Sequence, residues 1–103
     1  MTSPAACLTL IAPRALREEL FDYISEQSDL VTGFTASDAA GYGMRVRLGT
    51  AAEQVKGHAD EVAVRIVLQE ADVERLLERL RTTFTGTKLV YWVVPVTTFG
   101  IID

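Results

Sequence analysis

Gly41-Tyr42-Gly43 is followed closely by Arg45 and Arg47, and Lys88 stands directly after Thr85-Gly86-Thr87. Glycine lets a backbone approach a ligand closely, and successive exposed amides make a nest for an anion. Arg45 and Arg47 alternate to one side just beyond that nest, where a guanidinium pairs with phosphate or carboxylate. Lys88 adds a second cationic position. The chemistry these residues share is capture of a small anion. Each also has an ordinary role, the arginines as solvated loop charges and Lys88 as the first residue of a strand. The glycine pair is not a dinucleotide fingerprint, which needs a third glycine and a following helix.

Catalysis has no comparable signal. The chain holds one His and one Cys, and neither His58 nor Cys7 sits in a spacing that pairs a nucleophile with a base. The chain is therefore read as a non-enzyme. His58 is a weak metal candidate with Glu53 or Asp60, and an ordinary loop or strand-edge histidine is the commoner outcome of such a pattern. Cys7 lies in an apolar run and reads as a small buried hydrophobe. It has no partner for an internal disulfide. Tyr91 and Trp92 are aromatics of a strand, where packing is the usual role.

The elements that must position these groups follow from the periodicity. Ala6 to Ala12 is a short apolar run that stops at Pro13, a strand leading into a helix. Leu16, Leu20, Tyr23 and Ile24 then recur at helical spacing up to Gln27. Leu30 to Asp38 reads as a second strand, with Gly33 marking a bulge or a close approach. Glu61 to Leu68 alternates, with Val62, Val64, Ile66 and Leu68 on one face and Ala63, Arg65 and Val67 on the other. Val73, Leu76, Leu77, Leu80 and Phe84 mark a second amphipathic helix, acidic at its start and basic at its end. Lys88 to Val96 is the last strand. Between the two halves, a connection from about residue 39 to residue 60 is longer than compact domains usually carry. Within it Met44 to Leu48 alternates and could extend a hairpin, and Thr50-Ala51-Ala52-Glu53 fits a capping box.

This order predicts an α+β chain with a ferredoxin-like βαββαβ sandwich and a long central loop, as one domain over residues 1–103. Both helices cover one sheet face. The last strand is apolar on both faces, Leu89, Tyr91 and Val93 alternating with Val90, Trp92 and Val94. A strand of that kind is usually covered on both sides, so association with further copies of the chain is expected.

Bulk properties agree with a single folded unit. The chain has 103 residues, 49% hydrophobic and 23% charged, with a formal net charge of -4. That charge is a poor match to nucleic acid or an anionic membrane. No apolar run approaches the roughly 20 residues that span a bilayer, and no secretory start is legible. A cytoplasmic location without membrane insertion is the expectation.

Thr32-Gly33-Phe34-Thr35 followed by Gly41-Tyr42-Gly43 resembles the stretch leading into the T-loop of the nitrogen-regulatory PII proteins. Ile11-Ala12-Pro13 matches that superfamily's opening, and Val62 to Leu68 and Lys88 to Val96 continue the likeness across nearly the whole chain. Glu53-Gln54-Val55-Lys56-Gly57 and Tyr91 to Val96 are similar to a small PII-like family associated with heavy-metal efflux genes. The resemblance implies a homotrimeric signal-transduction protein that binds an adenine nucleotide in clefts between subunits. Its T-loop would engage a partner, here a membrane transporter or efflux pump. By position, Thr35, Gly41 and Gly43 would line the cleft and Lys88 would face phosphate; Arg45 and Arg47, candidates from their own spacing, would reach it from the loop. The turn at Thr85 to Thr87 is shorter than the phosphate loop of true PII proteins, and the C-terminal residues lack their basic side chains. A ligand of the AMP or ADP type therefore fits better than a triphosphate. The alternatives are a metal-related accessory protein resembling the trimeric CutA proteins, using His58, and a ligand-free interaction module.

Overall fold

A computed structural model describes residues 4–43 and 48–103. Four strands, β1 (Ala5–Pro13), β2 (Thr35–Gly41), β3 (Ala59–Gln69) and β4 (Val90–Val96), form one sheet in the order β2-β3-β1-β4. Every neighbouring pair is antiparallel. The helices are α1 (Arg17–Glu26), α2 (Ala51–Lys56) and α3 (Glu70–Thr83). This is the ferredoxin-like α+β arrangement.

Alternation along β1 and β3 decides which face is buried. Leu8 and Leu10 pair with Ile66 and Val64, and all four are at most 1% exposed. Leu20 and Ile24 of α1 and Leu76, Leu77 and Leu80 of α3 close the same core from the helix side. The two helices are also tied by charge. Arg79 of α3 donates to both carboxylate oxygens of Asp29, at 2.9 and 2.8 Å, and to Gln27 at 2.8 Å. The Arg79 guanidinium holds the Asp29 carboxyl below its ordinary range.

Several boundaries differ from the sequence reading. The second strand does not begin at Leu30. Leu30 and Val31 are buried in the turn after α1, their amides donating to the Gln27 carbonyl at 3.0 and 2.8 Å. Their hydrophobicity closes the end of the core instead of forming a strand. Gly33 precedes β2, with open space where a Cβ would stand, so it marks no bulge. Arg14 to Leu16 form a 3-10 turn before α1, and Pro13 ends β1 opposite Glu61. Cys7 is half-buried, on the open sheet face opposite Val67 and Val94, not inside the core. The last strand starts at Val90, so Lys88 lies before it, in a turn.

The expected connection from residue 39 to residue 60 holds the end of β2, the helix α2 and the start of β3. The capping box is formed as expected: Glu53 N–H donates to Thr50 Oγ1 at 3.0 Å, and Thr50 N–H donates to Glu53 Oε1 at 3.1 Å. Gly57 ends α2 at φ 80°, a left-handed conformation in which glycine carries no Cβ penalty. The hairpin reading of Met44 to Leu48 falls largely on residues 44–47, outside the described residues.

Candidate anion-binding cleft

One end of the sheet opens into a cleft of about 920 Å³. Four segments meet there. The end of β1 brings Ile11 and Pro13, and the end of β2 brings Gly41 and Tyr42. The start of β3 brings Asp60 and Glu61, and the turn before β4 brings Gly86, Thr87 and Lys88. Antiparallel pairing produces this convergence, since Pro13 lies opposite Glu61 and Gly41 opposite Ala59.

Of the residues singled out from the sequence, Gly41 and Lys88 line this cleft. Gly43 lies just past it in the chain, at φ 113°, a conformation that glycine adopts freely. Thr35 is at the other end of β2, about 20 Å away along the strand, paired with Arg65 on the open sheet face. Arg45 and Arg47 are outside the described residues. Lys88 has φ 58° and is the one non-glycine residue with positive φ among the described residues.

The cleft also holds residues that the sequence reading did not single out as ligand contacts. Arg14 enters from the 3-10 turn, its Nε 3.6 Å from Asp38 and its Nη1 4.0 Å from Asp60. Glu61 lies over Gly41 so closely that a Cβ at Gly41 would collide with its carboxylate. A larger residue at position 41 would therefore displace the Glu61 carboxylate. Nothing in the sequence spacing signals this, because the two residues meet only through the β2–β3 register.

The electrostatics are mixed. Glu53 accepts from the amides of Gly49, Thr50 and Asp60, and these hydrogen bonds, the one from Asp60 foremost, lower its pKa. The Lys56 ammonium, 2.9 Å away, lowers that of Asp60, helped by Arg14 and His58. Both carboxylates are therefore already engaged. Glu61 is different, since burial and then the Glu53 charge raise its pKa. Arg14 is already within 4.0 Å of Asp38 and Asp60, Lys88 makes no ion pair among the described residues, and Glu61 is a cleft carboxylate that burial disfavours when ionised. The balance suits a ligand of low negative charge.

His58 stands at the edge of this region, its ring 5.2 Å from that of Tyr42 and its Nδ1 3.9 Å from Asp60. Among the described residues no three His, Cys, Asp or Glu side chains gather into a metal-binding group. No described helix is long and apolar enough to cross a membrane.

Comparison with known proteins gives the same fold. A crystal structure of a DUF3240 protein from Shewanella baltica OS155 superposes with a TM-score of 0.78 at 19% identity, covering 99% of this chain and 100% of that one. CPII, a nitrogen regulatory PII-like protein from Thiomonas intermedia K12 bound to ADP, AMP and bicarbonate, gives 0.70 at 21% identity, covering 96% and 97%. The B. subtilis GlnK–ATP complex gives 0.66 at 16% identity, covering 94% and 85%. At these identities the likeness establishes fold alone. No curated protein matches the chain in sequence. A family model described as a protein of unknown function, DUF3240, matches residues 2–103, so the chain belongs to the DUF3240 family and has a PII-like fold.

Proposed function

We propose that this chain is a regulatory sensor or adaptor that binds a small anionic ligand of the AMP or ADP class in its cleft. The observation that carries the reading is the convergence of Gly41, Gly86, Thr87 and Lys88 in one space of about 920 Å³. The turn amides and the Lys88 ammonium are groups that phosphate oxygens accept from, and charge-assisted bonds of this kind are the strong ones. Glu61 and the small number of cations argue for one or two phosphates. CPII and GlnK hold adenine nucleotides on the same fold.

The exposed apolar face of β4 supports assembly with further copies, in keeping with a homotrimer whose clefts lie between subunits. The segment between β2 and α2 is then the surface that meets a partner, such as a transporter or efflux pump. Among the described residues no group in the cleft makes a nucleophile with its base, so regulation accounts for the site better than turnover. The same β4 face also favours a ligand-free interaction module, and titration separates the two.

Calorimetric titration with AMP, ADP, ATP and manganese tests the reading. AMP or ADP is expected to bind more tightly than ATP. Lys88→Ala should weaken that binding at least about tenfold, as loss of one charge-assisted hydrogen bond worth roughly 1.5–3 kcal/mol requires. Absence of any nucleotide binding at millimolar concentration would overturn the reading, and magnesium-dependent preference for ATP would overturn its charge argument.

A further inference from the structure

A second, smaller cavity of about 240 Å³ lies between the end of α3 and the start of β4. Leu77, Leu80, Phe84, Leu89 and Tyr91 make it apolar, and Lys88 stands at its wall. Arg81 also borders it, but its guanidinium already donates to Glu74 and Glu78, both at 2.8 Å. None of the ion pairs among the described residues uses Lys88. A hollow this small admits one or two side chains, whereas small-molecule pockets run to several hundred Å³.

The chain carries a segment with matching chemistry. Past β4, Phe99, Ile101 and Ile102 are 64%, 85% and 103% exposed, and Asp103 follows them. Three large apolar side chains exposed to this degree are a contact surface in waiting. We infer that the segment Phe99–Asp103 of a second copy seats in this cavity, its apolar side chains against Leu80 and Phe84 and its Asp103 carboxylate on Lys88.

Geometry selects a second copy over the chain's own segment. Val96 lies opposite Ala5 and Val90 opposite Ile11, so the chain leaves β4 at the end remote from Lys88. The strand's seven residues span about 20 Å, and five extended residues after a reversal recover only about 16 Å. Charge selects the same partner. The cavity offers an unpaired ammonium beside apolar walls, and the segment offers apolar side chains ending in a carboxylate. Complementarity of this kind fixes the register of a contact. The contact needs no nucleotide, and because Asp103 and a phosphate would share Lys88, it is tested without nucleotide so that its failure is distinguishable from failure of the ligand reading.

Disulfide trapping between two full-length variants tests it, with Cys7→Ser in both. One variant carries Ile102→Cys. The other carries Thr85→Cys at the cavity rim, or Glu26→Cys outside the cavity as the control. Mixed and oxidised, the 102–85 pair should give a cross-linked dimer and the 102–26 pair should not. Lys88→Glu on the rim variant should lower the yield by about tenfold, and Asp103→Lys on the other should restore it. That rescue, with thermal unfolding of each variant, separates a lost contact from a lost fold. Equal trapping at residue 26 overturns the inference, and so does a yield indifferent to Lys88→Glu. In a single variant carrying both cysteines, predominantly intrachain product would overturn it as well.

Discussion

The two edges of the sheet are built on opposite principles. β2, Thr35-Ala36-Ser37-Asp38-Ala39-Ala40-Gly41, holds no side chain larger than aspartate. It also places a charge at mid-strand, Asp38, with Arg14 3.6 Å away. Small residues and a charge discourage another strand from adding to a free edge. β4, Val90-Tyr91-Trp92-Val93-Val94-Pro95-Val96, is apolar throughout, yet Tyr91, Trp92 and Val94 are 46%, 48% and 47% exposed. Pro95 tolerates an edge, since it has no N–H to donate. The open face next to β4 continues the apolar surface, for Trp92 lies opposite Thr9 and Val94 opposite Cys7. One edge is small and polar, and the other leaves large apolar side chains exposed.

The largest expected effect comes from placing the same charge on each edge. Trp92→Asp should dissociate the proposed assembly to monomers in light scattering. An unpaired carboxylate buried at a contact costs on the order of several kcal/mol. Ser37→Asp, on the same sheet face but at the β2 edge, should leave the mass unchanged. If Ser37→Asp dissociates the protein and Trp92→Asp does not, the two edges have been assigned the wrong way round.

A smaller effect is expected where β2 ends in the cleft. The pKa of Glu61 is raised by burial and by Glu53, from an ordinary 4.5. A carboxylate with a raised folded-state pKa opposes folding when ionised, and the opposition fades as pH falls through the raised value towards 4.5. Glu61→Gln should therefore raise the unfolding midpoint at neutral pH, and the gain should shrink as pH falls through the raised value and be gone below about pH 4.5. A gain that persists unchanged in acid would show that packing, not charge, is responsible.

The smallest effect concerns the charge that finishes the polar edge. Asp38→Asn removes an exposed ion pair with Arg14, and such pairs contribute about 0–1 kcal/mol. Its stability should shift within that range in urea titration. A loss well beyond it would mean that Arg14 depends on Asp38 to hold the cleft together.

The same contrast decides how much was legible in the sequence. β4 announces itself by hydrophobicity, and β3 by strict alternation of Val62, Val64, Ile66 and Leu68 with Ala63, Arg65 and Val67. Both helices follow from spacing, and α2 from the Thr50–Glu53 capping box. β2 carries no such signal. Its residues are small because its ladder to β3 holds it, and the apolar pair Leu30-Val31 drew the expected strand five residues too early. The cleft was half visible. Gly41 and Lys88 stood out as residue types, whereas Arg14 and Glu61 enter it through a 3-10 turn and a strand register that no local spacing encodes. Thr35 was drawn towards the cleft by the family likeness, and the length of β2 carries it away within one chain.

The left-handed backbone at Lys88 has a consequence for how this protein can change over time. A residue with a Cβ at φ 58° gives up about 1–2 kcal/mol relative to an ordinary conformation, which glycine at the same position would recover. The chain already uses glycine for this purpose two residues earlier, at Gly86, where φ is 82°. Drift towards stability alone would therefore replace the lysine with glycine, and the ammonium between the two cavities would vanish with it. Lysine at this position sets stability against charge, in the manner of a stability–activity trade-off. A stabilising consensus design that treats the turn as a loop to be regularised would produce a sturdier fold and remove the cation that the proposed ligand site and the proposed contact share.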